Sequence, residues 1–432
     1  MSLELQNAVK SYENYIHVNG IDEQVINAYV DASTVAIKTE KDIPYGLQIT
    51  KSAKEIIEQF CIKNAGGTIW DLEKYAFANK TKYELIDKFY DVLLLEAQNK
   101  VVDSYFRYIE KNREPKERFY MPRRKQLIKI GLMDALQGMI DDKYDILCIS
   151  LIPGAGKTTI EKFFNSAVIG WFPKDFNLFY SHSGDITRMY YDGVYDIVTN
   201  TDEYTWEEIF PNLKVTGTNA KMEQFNVGKY KPFPSVQCTS VGSKNAGKVR
   251  ASKFLLVDDM IGGIEEAMNP AILDKLWDKY AVDARQRKIQ DTDGKNCKEI
   301  HIATRWSVHD VIGRIQNMYA GNKRVKVIAV PDIDPETGES NFDYEFSGFT
   351  KEFFADQQLL MDEISYKCLY KQEPIEREGL LFPEDKIRRY FNLPHGAPEI
   401  ITAQCDTKGK GTDFFVLPVL QKYGEDYYCI DC

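Results

Sequence analysis

The segment Leu151-Ile152-Pro153-Gly154-Ala155-Gly156-Lys157-Thr158-Thr159 constrains this chain more than any other. An apolar run at residues 144–151 precedes it and predicts a buried strand, and the pattern at 158–169 predicts a helix. A strand, a Gly-rich turn and a helix in that order are the context of a phosphate-binding P-loop. Gly154 and Gly156 let the backbone turn its N–H groups inward, and the helix N-terminus adds partial positive charge. Pro153, Gly154, Ala155, Gly156, Lys157, Thr158 and Thr159 are therefore the candidate phosphate site. Lys157 is placed on the β- and γ-phosphates of a nucleotide, and Thr158 on Mg²⁺. The pattern asks for Gly at position 151, where this chain has Leu. The bland alternative is a turn that binds nothing.

A second motif supports the first. Phe254-Leu255-Leu256-Val257 ends in Asp258-Asp259. A buried parallel strand delivers its last residues to the edge where open α/β sheets bind ligands. Asp258 is the candidate Mg²⁺ holder and Asp259 the candidate water-orienting base. Many P-loop ATPases use Glu at the second position, one methylene longer than Asp259.

Composition places the chain among globular proteins: 432 residues, 44% hydrophobic and 12% aromatic. No apolar run reaches membrane-span length, and residues 1–15 are polar, without a signal-peptide core. Eight cysteines are scattered, and Cys429 and Cys432 form an isolated C-x-x-C. Free thiols in a reducing cytosol are the expectation. The net charge of −10 disfavours a generally basic nucleic-acid binder. Short basic clusters occur at 123–125, 244–253 and 285–288, and each has an ordinary reading as a solvated face.

Helical periodicity runs through residues 83–108, with a helical pattern before it, so residues 1–115 read as a helical N-terminal domain or arm. Residues 110–118 read as a linker or exposed helix end. From about 116 to 330, helical and strand patterns alternate, within a P-loop domain expected over 116–378. Strands are expected at 146–151, 177–181, 235–240, 254–257, 299–304 and 325–330, which predicts a mainly parallel sheet with helices on both faces. Residues 331–346 read as a loop, 350–373 as helical, 379–398 as a linker, and 399–432 as the start of another domain.

The order of these motifs resembles the large subunit of the tailed-phage DNA-packaging terminase, from about residue 118 to the chain end. That family couples a P-loop ATPase domain to an RNase H-like nuclease domain. It tolerates a non-Gly P-loop start and shows a strand ending in Asp-Asp before a short acidic helix, here Glu265-Glu266. Phe119-Tyr120-Met121-Pro122-Arg123 with Gln126 resembles its adenine-contacting segment, which implies that role for Tyr120, Arg123 and Gln126. Phe179-Tyr180-Ser181-His182-Ser183 and Ile209-Phe210-Pro211 also match in order. Ala303-Thr304-Arg305-Trp306, then His309-Asp310 and Ile312-Gly313-Arg314, resembles the family's coupling motif. Thr304 is then expected to sense γ-phosphate loss. A strand cap is its ordinary reading.

Arg250 matches a family position that reaches a neighbouring subunit's nucleotide. It is the favoured arginine finger, with Lys248 and Arg305 as competitors and DNA or solvent contact as the alternative. Residues 400–420 resemble the first hairpin of an RNase H-like fold, which implies Asp406 as its first metal-binding carboxylate. Two-metal cleavage needs several converging acids. Asp413 and Asp431 are the nearby ones, and they read better as turn and strand-end residues. The nuclease domain is therefore expected to be incomplete, truncated or split, and the chain unable to cut DNA alone.

The resemblance implies ATP and Mg²⁺ as cofactors, with Mg²⁺ or Mn²⁺ for a complete nuclease. It implies double-stranded DNA, a portal ring, a small terminase subunit and a homo-oligomeric ring as partners, and no membrane. The implied location is the host cytoplasm, transiently on the procapsid. Two other readings remain: a helicase-like or other DNA-stimulated ATPase unrelated to packaging, and a P-loop scaffold that binds without turnover.

Overall fold

A computed structural model describes residues 2–243, 248–374, 388–404 and 417–431. The chain forms two compact units, Met1–Glu376 and Arg377–Cys432. In the first, β1 (Ile146–Ser150), β2 (Asn177–Ser181), β3 (Val215–Asn219), β4 (Gln224–Val227), β5 (Val236–Ser240), β6 (Phe254–Asp258), β7 (Lys298–Ile302) and β8 (Val325–Ala329) form one sheet. Its order is β3-β4-β5-β2-β6-β7-β1-β8. From β5 to β8 every pairing is parallel, and β3 and β4 add an antiparallel hairpin at one edge.

The six strands expected from sequence are these six parallel ones. The hairpin was not legible, because Val-Thr-Gly-Thr-Asn in β3 is largely exposed and lacks an apolar face. In β1, β2, β6 and β7 every residue is buried. Alternation divides them between two cores: Leu147 and Ile149 pack on one face, Ile146 and Cys148 on the other. Burial on both faces is why these strands read as continuous apolar runs.

One face is covered by α9 (Lys157–Trp171) and α10 (Gly184–Thr199), backed by the N-terminal helices: α1 (Leu3–Asn19), α2 (Glu23–Thr34), α3 (Ile43–Ala65), α4 (Ile69–Asn79), α5 (Glu84–Gln98), α6 (Val102–Ile109), α7 (Tyr120–Lys129) and α8 (Leu132–Ile140). Helices Pro270–Asp278 and Val311–Met318 cover the other face through Leu273, Leu276, Ile312 and Ile315. The N-terminal helices lock onto α9. Tyr105 and Ser166 share a hydroxyl hydrogen bond of 2.8 Å, Trp171 Nε1 donates to the Ala97 carbonyl at 2.7 Å, and Phe106 packs edge-on against Phe163.

Two expectations are corrected. The helical period at 83–108 is broken at Asn99–Val101, where Lys100 adopts φ +68°, so two helices form. Residues 110–118 are not an exposed linker. Glu110 is buried and accepts the N–H groups of Phe119 and Tyr120, each at 2.8 Å. Arg118 is buried against Glu73, Tyr90 and the Lys111 carbonyl. Charged residues read as surface by composition are here sunk as pairs, the condition under which a protein buries charge.

The second unit holds a three-stranded antiparallel sheet: β9 (Ile400–Ala403), β10 (Val419–Tyr423) and β11 (Asp426–Asp431), ordered β11-β10-β9. Asp406 and Asp413 lie outside the described residues. Among the described residues no helix is long and apolar enough to cross a membrane.

Candidate functional site

The site lies where β1 ends and α9 begins. Leu151 and Ile152 are fully buried, then Gly154 and Gly156 take φ +79° and +90°. These are left-handed values that glycine adopts without strain. A Cβ on Gly156 would sit 2.4 Å from the Phe119 ring, and one on Gly154 3.0 Å from the Phe349 ring. The loop is thus clasped between two aromatics. The burial of Leu151 explains the departure at that position: its side chain belongs to the core, and its carbonyl accepts from Lys157 Nζ at 2.8 Å. No side chain caps the α9 N-terminus at Gly156, so its first N–H groups are aimed at the loop.

Lys157 Nζ also donates to the Ile152 carbonyl at 3.2 Å. Burial pushes its pKa down, and the carboxylates of Asp259 and Asp258 oppose that. Thr158 Oγ1 donates to Asp258 Oδ2 at 2.7 Å, joining two motifs 100 residues apart. Asp258 Oδ1 is buried with no hydrogen-bond partner among the described residues. Burial and the neighbouring Asp259 push Asp258 up to about 7.

Asp259 follows the strand with φ +39°. Three contacts hold this left-handed backbone. Its N–H donates to the Ile302 carbonyl at 2.9 Å, its carbonyl lies 2.5 Å from His182 Nδ1, and its Oδ1 accepts the Thr304 N–H at 3.0 Å. Burial raises its pKa, opposed by Lys157, the Thr304 N–H and His182. Sequence reasoning placed His182 in a motif and gave it no role; its proximity to Asp259 is a tertiary fact.

Glu161 was also missed. It lies on α9, buried, with both carboxylate oxygens lacking a hydrogen-bond partner among the described residues. Burial pushes its pKa far up, reinforced by Asp258 and Asp259. Helical spacing puts Glu161 on the face of Lys157, Phe164 and Val168, a signal present in the sequence.

Beside the loop, the Arg123 guanidinium stacks 4.4 Å over Phe119 and 4.6 Å over Tyr344, and Gln126 Nε2 donates to the Asp343 carbonyl at 3.1 Å. Tyr120 does not join them. It is fully buried, with its hydroxyl on Asp103, and has no surface to offer a base. Phe119, quoted in the same motif, is the aromatic that touches the loop.

Arg305 is buried in an ion pair with Asp310 at 2.8 Å and donates to Gln316 at 2.9 Å, so it is committed within its own chain. Arg250 lies beyond the opposite end of β6 from Asp258. Its Nη1 bonds the Val249 carbonyl at 2.8 Å, and its carbonyl accepts from Gln237 near the start of β5. The fold does not bring it to Lys157 of the same chain. Lys248 is exposed. Among the described residues no group of three or more His, Cys, Asp or Glu is arranged to hold a metal ion.

No protein-family model matches this chain, and no curated protein does. Solved structures do match. The ATPase domain of the Thermus phage P74-26 large terminase is similar at TM-score 0.38 and 12% identity, over 54% of this chain and 89% of that one. The HK97 bacteriophage large terminase is similar at TM-score 0.38 and 11% identity, over 68% of this chain and 61% of that one. The large terminase of a thermophilic bacteriophage, in complex with ADP, is similar at TM-score 0.34 and 11% identity, over 71% of this chain and 66% of that one.

Proposed function

We propose that this chain is an ATP-hydrolysing motor of the terminase type, which drives double-stranded DNA into a capsid. The observation that carries the ATPase reading is the 2.7 Å bond between Thr158 and Asp258, which sets the loop, the helix start and the acidic strand end on one site. The packaging reading rests on the order of motifs along the chain.

The residues present fit Mg²⁺: a hydroxyl and a carboxylate offer hard oxygen donors, and Asp258 Oδ1 is buried without a partner among the described residues. When bound, Mg²⁺ neutralises phosphate charge as the terminal phosphoryl leaves. In this reading Lys157 exchanges its two loop carbonyls for phosphate oxygens. The backbone of residues 153–157 and the start of α9 line the phosphates, and Thr159 lies in the first turn behind them. Asp259 orients the attacking water. Its Oδ1 is engaged by the Thr304 N–H, which leaves Oδ2 to take the proton. Phe119, Arg123 and Gln126 flank the base. Arg250, remote from its own loop, serves a neighbouring subunit's nucleotide in an assembled ring. A portal ring and a small terminase subunit complete the proposed assembly, in the host cytoplasm.

The test is displacement of a third strand from duplex DNA, followed with ATP turnover. DNA-stimulated turnover with displacement is expected of a translocating motor. Turnover without displacement reduces the assignment to an ATPase, and no turnover leaves the scaffold reading.

A further inference from the structure

Phe346 holds φ +67°, and among the described non-glycine residues with positive φ it is the one aromatic. It is the third residue of the turn Tyr344-Glu345-Phe346-Ser347, which the Ser347 N–H closes on the Tyr344 carbonyl at 2.9 Å. A positive φ at the third position and not at the second is the pattern of a type II turn, where glycine is the ordinary residue. A bulky side chain is an outlier there. The Phe346 ring packs in neither hydrophobic core and is 66% exposed. An exposed ring on a strained backbone does little for the folded chain, and such outliers concentrate at ligand clamps.

The turn is held from several sides. Ser347 Oγ accepts the N–H groups of Tyr344 and Phe349, each at 3.2 Å, and Ser340 Oγ donates to the Phe349 carbonyl at 2.7 Å. Glu345 accepts from Trp70 Nε1 and Lys74 Nζ, each at 3.1 Å. The neighbours of Phe346 on both sides are seated on the candidate nucleotide site. Before it, the Tyr344 ring carries the Arg123 guanidinium at 4.6 Å, and the Asp343 carbonyl takes Gln126 at 3.1 Å. After it, the Phe349 ring stands 3.0 Å from a Cβ placed on Gly154. Two residues of chain, at most about 7 Å, separate Phe346 from Tyr344.

The same rim leaves polar atoms over. Gln126 gives its amide N–H to the Asp343 carbonyl, which can only accept, so the orientation of the amide is fixed. Its Oε1 and the Nε of Arg123 are buried without a hydrogen-bond partner among the described residues. One acceptor and one donor beside aromatic rings fit the edge of a nucleobase, which carries both. A phosphate oxygen offers acceptors alone.

We infer, resting on the nucleotide reading of the loop at Gly154–Thr159, that Phe346 is a base-stacking residue whose ring covers the nucleobase from the side of the 344–347 turn. The test is calorimetric titration of the full chain with Mg²⁺-ATP and, separately, with Mg²⁺-tripolyphosphate, which has the phosphates without base or sugar. Phe346→Gly is expected to bind ATP at least about tenfold more weakly, the scale of one lost base–aromatic stack. It is expected to bind tripolyphosphate within about twofold of the parent. Its Tm is expected at or above the parent's, because glycine takes φ +67° without strain. Phe346→Trp keeps an aromatic face and is expected to hold ATP affinity within about threefold. Unchanged ATP affinity in Phe346→Gly, or equal losses for the two ligands, overturns the stacking role while ATP binding by the parent keeps the nucleotide reading. A parent chain that binds neither ligand overturns both.

Discussion

The backbone N–H of Thr304 donates to Oδ1 of Asp259 at 3.0 Å, across 45 residues of sequence. The end of β7 therefore fixes the acid that follows β6, through a main-chain group that side-chain substitution leaves in place. Thr304→Ala is expected to keep ATP turnover within about threefold. Asp259→Asn is expected to bind nucleotide and to lose at least about 100-fold in turnover. Steady-state phosphate release checks both, with nucleotide binding measured separately. Normal hydrolysis by Asp259→Asn moves the water-orienting role to another acid.

Gly156 has no room for a side chain. Ala there meets the Phe119 ring at 2.4 Å and must hold φ +90°. Gly156→Ala is expected to cost about 1–3 kcal/mol and to weaken nucleotide binding. Phe119→Ala relieves the clash and not the backbone strain. A double-mutant cycle in urea should therefore show favourable coupling between the two substitutions. Strict additivity contradicts the close packing.

Glu73 is buried in α4, 3.0 Å from Arg107 and 2.9 Å from the Tyr90 hydroxyl, and also bound by Arg118. Removing it takes the shared carboxylate away from two buried guanidinium groups, Arg107 and Arg118. Glu73→Ala is expected to destabilise the chain by about 3–5 kcal/mol, read from urea unfolding. A loss below about 1 kcal/mol is what an exposed pair gives, and that result contradicts the buried network.

Burial, with Asp259 beside it, pushes Asp258 up to about 7. The folded state keeps a proton that the unfolded chain releases at about pH 4. The stability linked to this group is therefore complete below about pH 4 and is lost as pH rises to about 7. Asp258→Asn removes that loss. In a chelating buffer, its Tm is expected to gain on the parent's between about pH 4.5 and about pH 7.5, then run level. A difference independent of pH contradicts the raised value.

Much of this arrangement is legible in the sequence, for physical reasons that differ by residue. Strands buried on both faces announce themselves as apolar runs, which is why β1 and β6 stand out with their terminal Gly-rich turn and acid pair. In the β3–β4 hairpin, β3 is largely exposed, and the alternation of β4, with Phe225 and Val227 buried, runs over four residues only, too short to stand out. Tyr120 and Phe119 are adjacent aromatics, and only packing decides that one is buried on Asp103 while the other clasps Gly156. Glu110 and Arg118 look solvated because each partner lies elsewhere in the chain. The His182–Asp259 contact joins residues brought together by sheet order, which composition and spacing do not encode.

The central claim is that Lys157, on the loop between β1 and α9, serves nucleotide hydrolysis. The most direct measurement compares ATP turnover by the parent chain and by Lys157→Ala, with and without duplex DNA, at matched folded fraction. The account predicts measurable turnover by the parent and a loss of at least about 1000-fold in the variant, because the ammonium is missing where β,γ-phosphate charge concentrates. Full turnover by a folded Lys157→Ala would contradict it.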